Sequence, residues 1–291
     1  YLYDSDLLSW ATLSIGGAYS PGTTSVANVK GVSYIFVKGV GIFVYDFSLK
    51  VLVLQTVLGL DTGEVEGIFD AGAVLGFWTL EMRVGWSSTF NPLDFVPSLS
   101  TGAGSTSVLA IKSEIVAVLS LGEDFIIYTS LNAVAARQTG NVQYPFVFEE
   151  IKNSCGLAKR QHVAYNTNSS NHIAWTPNGF QQITVGKAEF IWPELADGIA
   201  RGILIGLEPT LEIPEFSTVN KLEVRMQFCS NKYIAISLRE NTQALEGTPF
   251  TEAHIFDTQL LRWGRLVCEH VSLFEFTVQQ VIGGYTYLDL E

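Results

Sequence analysis

The sequence predicts an all-β chain folded as a β-propeller, six-bladed, with the ring closed by strands from both termini. Three observations lead there. Six stretches share one pattern: an apolar strand, a turn carrying Gly, Asn or Asp, and a second apolar or aromatic strand. They begin near residues 33, 74, 114, 171, 232 and 281, at intervals of 41, 40, 57, 61 and 49. Repeats of roughly 40–50 residues, each about four strands, are what propeller blades require. The strands are also apolar on both faces, as a blade packed between two neighbours must be and a sandwich with one wet face is not. Finally, helix signals are scarce.

The first stretch, "SYIFVKGVGIFVYD" (33–46), sets Ser33, Ile35 and Val37 on one face and Tyr34 and Phe36 on the other, with Gly-Val-Gly turning the chain. "VLGFWTLEMRVGWSS" (74–88) follows. In 106–122 the residues Leu109, Ile111, Ile115, Val118 and Leu119 partly fit a helical period, yet Val and Ile dominate and two strands fit at least as well. "EIVAVLSLGEDFIIYTS" (114–130) turns at Gly122-Glu123-Asp124, and "NHIAWTPNGFQQITV" (171–185) at Pro177-Asn178-Gly179. Such residues tolerate the positive φ of tight hairpins. The segment 232–258 supplies the fifth stretch and "VIGGYTYLDL" (281–290) the sixth. Each end of the chain reads as a strand or two. Strands from both termini sharing one sheet leave no open edge between first and last blades.

The 291 residues read as one domain, 1–291, with no low-complexity linker and no charge run. Hydrophobic residues make up 47% and charged residues 16%, enough apolar material to offset the entropy of ordering the chain. Tyr1 is not an initiator Met, so residues upstream are expected. No stretch approaches the roughly 18 apolar residues of a membrane helix, and no membrane partner is expected. The net charge of −12 argues against a protein that grips nucleic acid through phosphates, which takes clustered Lys and Arg. It suits a wall that lets nucleic acid slide past.

Two phrases go beyond generic β patterning, "GWSSTFNPLDFVPSLSTGAGST" (85–106) and "CGLAKRQHVAYNTNSSNHIAWTPNGFQQI" (155–183). With "DFIIYTSLNAVAAR" (124–137), they resemble the propeller-bearing tail hub, nozzle or packaged-DNA stabilisation proteins of short-tailed bacteriophages. The matching positions are Trp86, Ser87, Asn91, Pro92, Asp94 and Phe95, then Ile127 and Tyr128, then Gly156, Leu157, Arg160, Trp175, Gly179 and Phe180. The resemblance covers residues 74–190 well, and the order and spacing of the phrases carry it. It implies a structural virion protein of the phage tail. Sister subunits would form a ring, expected to be a homohexamer, beside portal, adaptor and other tail proteins. The ring would form part of the conduit for genomic DNA, which passes without tight binding, and would help retain the packaged genome. The "NSS" at 168–170 fits a glycosylation pattern that a phage product would not use.

No enzyme, cofactor or metal is expected, and no catalytic, cofactor-binding or metal-binding residue is assigned. Asp61-Thr62-Gly63 matches an aspartic-protease triplet, but Glu64 follows and no second copy exists, so an Asx turn is expected. His162, His172, His254 and His270 have no ligand spacing. No G-x-S-x-G elbow marks a nucleophile, and the "GVG" at 39–41 lacks the rest of a dinucleotide fingerprint. Cys155, Cys229 and Cys268 are expected as buried thiols. Trp78, Trp86, Trp175, Trp192 and Trp263 are expected to pack sheets together, and Asp257 to bond turn backbone. Asp61, Glu64, Glu66 and Asp70, Glu149 and Glu150, and Glu208, Glu212 and Glu215 are solvated loops or channel-facing acids. Lys159, Arg160, Arg201, Arg239, Arg262 and Arg265 are candidates for pairing across subunits. The competing class is a glycan-binding or glycan-hydrolysing propeller, which would carry paired carboxylates or an Arg cluster at the ring centre.

Overall fold

A computed structural model describes residues 2–4, 9–11, 24–46, 51–165, 170–193, 222–229, 232–240, 249–260 and 262–270. They form five four-stranded antiparallel sheets, each a simple meander in chain order. The first blade comprises β3 (Thr24–Val29), β4 (Val32–Val37), β5 (Gly41–Asp46) and β6 (Val51–Leu54). The second comprises β7 (Val65–Asp70), β8 (Leu75–Thr79), β9 (Arg83–Trp86) and β10 (Gly104–Ser107). β11 (Ile115–Leu121), β12 (Asp124–Thr129), β13 (Ala133–Gln138) and β14 (Phe146–Glu150) make the third. A 3₁₀ turn, η1 (Arg160–His162), leads into the fourth: β15 (Val163–Ala164), β16 (His172–Thr176), β17 (Gly179–Ile183) and β18 (Ala188–Ile191). The fifth is β19 (Leu222–Cys229), β20 (Tyr233–Glu240), β21 (Phe250–Asp257) and β22 (Arg262–His270). A separate two-stranded sheet pairs β1 (Leu2–Asp4) with β2 (Ser9–Ala11).

This is a β-propeller, with five blades in the described residues where the sequence reading expected six. The first five predicted stretches each fall inside one blade. The sixth, 281–290, and with it the closing of the ring by terminal strands, lies outside the described residues. The weak helical period in 106–122 resolves into the end of β10, a loop and β11, as the β-branched content favours. The expected turn glycines are used: Gly39 and Gly122 take φ of 76° and 65°, the left-handed region that Gly enters without penalty.

What makes the blades stack is the period of two along each inner strand. On β12, Phe125 and Ile127 enter the core shared with the second blade, and Ile126 and Tyr128 enter the core shared with the fourth. On β13, Val134 and Ala136 face the one and Ala133 and Ala135 the other. β16 repeats this, with Ala174 toward the third blade and Ile173 and Trp175 toward the fifth. Four apolar seams result, one between each successive pair of blades. Every residue of β8 and of β16 is buried, whereas the outermost strands β6 and β22 are largely exposed. On β4, Tyr34 and Phe36 are buried in the first seam, and on the other face Val37 is buried, Ile35 half-buried and Ser33 exposed.

Three cross-strand pairs in the second blade join a glycine to an aromatic ring: Gly67 to Trp78, Gly76 to Phe69 and Gly85 to Phe77. A Cβ on these glycines would stand 2.2, 2.3 and 2.3 Å from the partner ring, so each ring occupies the space the glycine leaves.

Phe125 is fully buried and touches Phe69 and Phe146 at centroid distances of 4.6 and 5.0 Å, joining the second and third blades. Phe125→Ala is expected to cost about 3–5 kcal/mol in denaturant unfolding. Leu109→Ala, at a fully exposed side chain, should stay within about 0.5 kcal/mol. Equal effects of the two would contradict the seam.

Candidate functional site

The innermost strands of all five blades line one axial cavity of about 720 Å³, with Thr24 from β3, Glu66 from β7, Val116 from β11, Val163 from β15 and Arg225 from β19. The segment before β15 adds Lys159, Arg160 and Gln161. Two short chain features put those cations there. Gly156 passes the third blade so closely that a Cβ would lie 2.0 Å from the Ser130 carbonyl oxygen, and the Leu157 N–H donates to the Thr129 carbonyl at 2.8 Å. The backbone thus crosses from the end of the third blade to the axis before η1 winds Arg160 inward and His162 away from the cavity.

Among the described residues the charges at the axis are mostly positive. Glu66 is engaged by Lys38, whose Nζ stands 2.6 and 2.7 Å from its two oxygens. The Arg225 guanidinium lies over the Phe250 ring, 5.6 Å from its centroid. A smaller cavity of about 70 Å³ continues from the first, sharing Arg160 and Tyr165 and adding Asp70 and Ser120. One carboxylate oxygen of Asp70 is buried without a hydrogen-bond partner. Burial pushes its pKa up to about 6, against a bond from Gly72 that lowers it.

Polar ties near the axis link four blades. The Ile68 N–H donates to Ser25 Oγ at 2.8 Å, and Ser120 Oγ donates to the Asp70 carbonyl at 2.7 Å. His172 then joins the fourth blade to the third, with Nε2 2.8 Å from the Ser120 carbonyl and Nδ1 2.9 Å from the Tyr128 hydroxyl. A carbonyl only accepts, so Nε2 carries the proton and Nδ1 accepts from Tyr128, a neutral tautomer. Burial lowers the His172 pKa to about 4, more than the Ser120 bond raises it. His162 is also buried, with neither ring nitrogen partnered, and burial together with the nearby Lys159 charge lowers it to about 4.

The positions that carry the sequence resemblance divide between joints that link blades, core residues and turns local to the β9–β10 loop. Trp86 is buried, meets Phe146 edge-on at 5.1 Å and donates its indole N–H to the Gly102 carbonyl at 2.7 Å. The Leu75 N–H donates to Ser87 Oγ at 3.0 Å. Asn91 Oδ1 accepts from the Leu93 N–H, and Asp94 Oδ1 from the Val96 N–H, both at 3.0 Å. Phe95 is buried, and its N–H donates to the Leu58 carbonyl at 2.8 Å, tying this loop to the strand-to-strand link between the first two blades. Ile127, Tyr128, Leu157, Trp175 and Phe180 are core. Of these positions Arg160 alone lines the axial cavity.

Other expectations resolve one by one. Asp61 Oδ1 accepts the Gly63 N–H at 2.9 Å, an Asx turn, and Asp257 Oδ1 accepts from Gln259 and Leu260, both at 2.9 Å. Trp78 and Trp175 are buried, while Trp192 and Trp263 pack with Phe180 and Phe256 between the last two blades. Cys155 and Cys268 are half-buried rather than buried as expected, because each sits at a blade margin; Asn178 Nδ2 donates to the Cys155 sulfur at 3.3 Å. Arg265 pairs within its own blade with Glu252, Lys112 with Glu150 at 2.5 Å and Arg137 with Glu149 at 3.7 Å. Arg201, Glu208, Glu212, Glu215, Asn168 and Ser169, and the side chain of Arg239, lie outside the described residues. No group of three metal-ligating side chains occurs among the described residues.

One pair escaped sequence reasoning. Ser237 Oγ stands 2.7 Å from His270 Nε2, and His270 Nδ1 is 2.9 Å from the Cys268 carbonyl, an arrangement in which an imidazole could take a serine proton. Ser237 sits mid-strand, paired with Arg225 on one side and Ala253 on the other. The backbone amides there are spent on the ladders, and the bond ties the end of β22 to β20. Only sheet register brings together residues 33 positions apart, which is why no sequence signal marks them.

No protein-family model matches the chain, and no curated protein matches it in sequence. Solved structures similar to it include the extracellular domain of a one-component system from B. thetaiotaomicron, at 10% identity and a TM-score of 0.50 over 87% of this chain and 31% of that one. Also similar are the Cps50 (Swd1) β-propeller domain of Myceliophteria thermophila (12% identity, TM-score 0.41, 87% and 88% covered) and the extracellular domain of a B. thetaiotaomicron hybrid two-component system (9%, 0.42, 83% and 29%). The chain spans about a third of the length of the first of these. At such identities the likeness is one of fold alone.

The buried histidines set an acid limit. Their pKa is about 4 folded against 6.5 unfolded. Between those values the unfolded chain takes up protons that the native state refuses, so stability falls as pH drops from 6.5 toward 4, by at most about 3 kcal/mol per histidine. Asp70 works in the opposite sense, since its raised pKa lets the native state hold a proton between about 6 and 3.8. One carboxyl group offsets only part of two histidines. Melting scans from pH 7 to 4 should show a net fall. His162→Leu should make it shallower and leave neutral-pH stability equal or higher, because no hydrogen bond is lost. A variant less stable at pH 7 with an unchanged acid slope would contradict the assignment.

Proposed function

We propose that this propeller is a structural subunit of a short-tailed bacteriophage tail, a hub or nozzle component that helps retain the packaged genome and lets DNA pass. The observation that carries the reading is the ordered set of phrases at 85–106, 124–137 and 155–183. Their positions serve as seam core, turns and inter-blade contacts such as Trp86 on Phe146 and Phe95 on Leu58, which is what a building part needs. On this reading the strand stretch 281–290 and the terminal strands complete a sixth blade, and sister subunits form a homohexamer beside portal and adaptor.

The surface supports assembly. The loop between β9 and β10 exposes Phe90, Val96 and Leu99, and the turn before β14 exposes Val142 and Tyr144. The two lie side by side, since a Cβ at Gly102 would stand 3.2 Å from Val142 Cγ1. Exposed apolar residues gathered this way mark a contact surface. The net charge of −12 keeps a wall of such subunits from adhering to duplex DNA.

Mass photometry of the purified chain is expected to show a closed homo-oligomer of six copies, and gold-labelled antibody should mark the tail of virions carrying the gene. Phe90→Asp with Leu99→Asp should abolish the oligomer while the melting temperature stays within about 2 °C. A monomer at micromolar concentration, or label absent from the tail, would falsify the reading. Retention and cleavage of a glycan by a monomer would favour the competing class.

A further inference from the structure

The axial cavity is at odds with the rest of the molecule. A chain of net charge −12 turns Lys159, Arg160 and Arg225 toward one shared cavity. Among the described residues the acids facing them are Glu66, already held by Lys38, and Asp70 at the narrow end with Arg160. Among the described residues neither Lys159 nor Arg160 has an ion pair or hydrogen bond from its side chain. Cations drawn partly out of water without a counter-charge cost stability. On a surface otherwise rich in carboxylates, leaving two of them unpaired at the axis calls for an anion from outside.

The remaining lining describes that anion's body. Gln161 and Gln227 bring amides, and Tyr165 a phenol, into the same space. These groups donate to and accept from hydroxyls. A volume of about 720 Å³ is the size of a small-molecule site and excludes a duplex, whose major groove alone is about 12 Å wide. We infer that the axial cavity binds a small hydroxylated anion, a sugar bearing a phosphate or a carboxylate, with its oxyanion on Lys159 and Arg160 and its hydroxyls on Gln161, Gln227 and Tyr165. A guanidinium pairs with two oxyanion oxygens at once, so Arg160 is the anchor. The site goes beyond the structural role proposed above and requires neither assembly nor tail.

Isothermal titration of the full chain with glucose 6-phosphate, glucuronate, glucose and inorganic phosphate tests the assignment, with melting scans alongside. At least one of the two anionic sugars should bind and raise the melting temperature, and which one does separates phosphate from carboxylate as the source of the charge. Glucose should not bind. Arg160→Gln and Lys159→Gln should each weaken binding about tenfold or more without lowering the ligand-free melting temperature. Lys187→Gln, at an exposed lysine paired with Glu189 away from the axis, should change nothing. The inference is overturned if neither anionic sugar binds, if inorganic phosphate alone binds as tightly as the sugars, or if Lys187→Gln weakens binding as much as Arg160→Gln. Should Arg160→Gln fail to fold, Lys159→Gln alone decides.

Discussion

The inner strands of the second, third and fourth blades serve two seams at once. A strand such as β12 gives Phe125 and Ile127 to one neighbour and Ile126 and Tyr128 to the other, and only its first residue, Asp124, is partly exposed. The blade therefore has no independent core, and its stability exists only in company. Everything else follows from this demand. Outer strands can be wet because they lie beyond the seams, and joints such as the Trp86 loop must hold adjacent blades in register. Polar groups near the axis must find partners across blades, as Ser25, Ser120 and His172 do.

That same demand explains how much of the fold was legible in the sequence. Period-two strands apolar on both faces, interrupted by Gly-Val-Gly, Gly-Glu-Asp and Pro-Asn-Gly, identify blades because only stacking satisfies both faces. The stretches starting at 33, 74, 114, 171 and 232 each fall in a blade. What could not be read was the contribution of outer strands. β10, β14 and β18 are short, polar on one side and exposed, so their composition resembles that of loops.

The axial site was legible only in fragments. Arg160 stood out within a phrase, but sequence offered no means of telling a rim residue from one at the axis. That depends on the close pass of Gly156 against Ser130, set by tertiary packing. Arg225 lies 65 positions further on and reaches the same space through the register of the innermost strand. The local signals, by contrast, were easy. Asp61 and Asp257 bond amides two and three residues ahead, and such turns are written in the neighbouring sequence.

The ring-in-notch pairs of the second blade restrict how its sequence can drift. Adding a methyl at Gly67 drives it into the Trp78 indole, while trimming Trp78 to an aliphatic side chain empties the notch opposite Gly67. Neither change is tolerable first, so the two positions can be exchanged only together, and so can Gly76 with Phe69 and Gly85 with Phe77. Descendants of this chain should keep those six residues as three linked couples long after the surrounding valines, leucines and isoleucines have been shuffled.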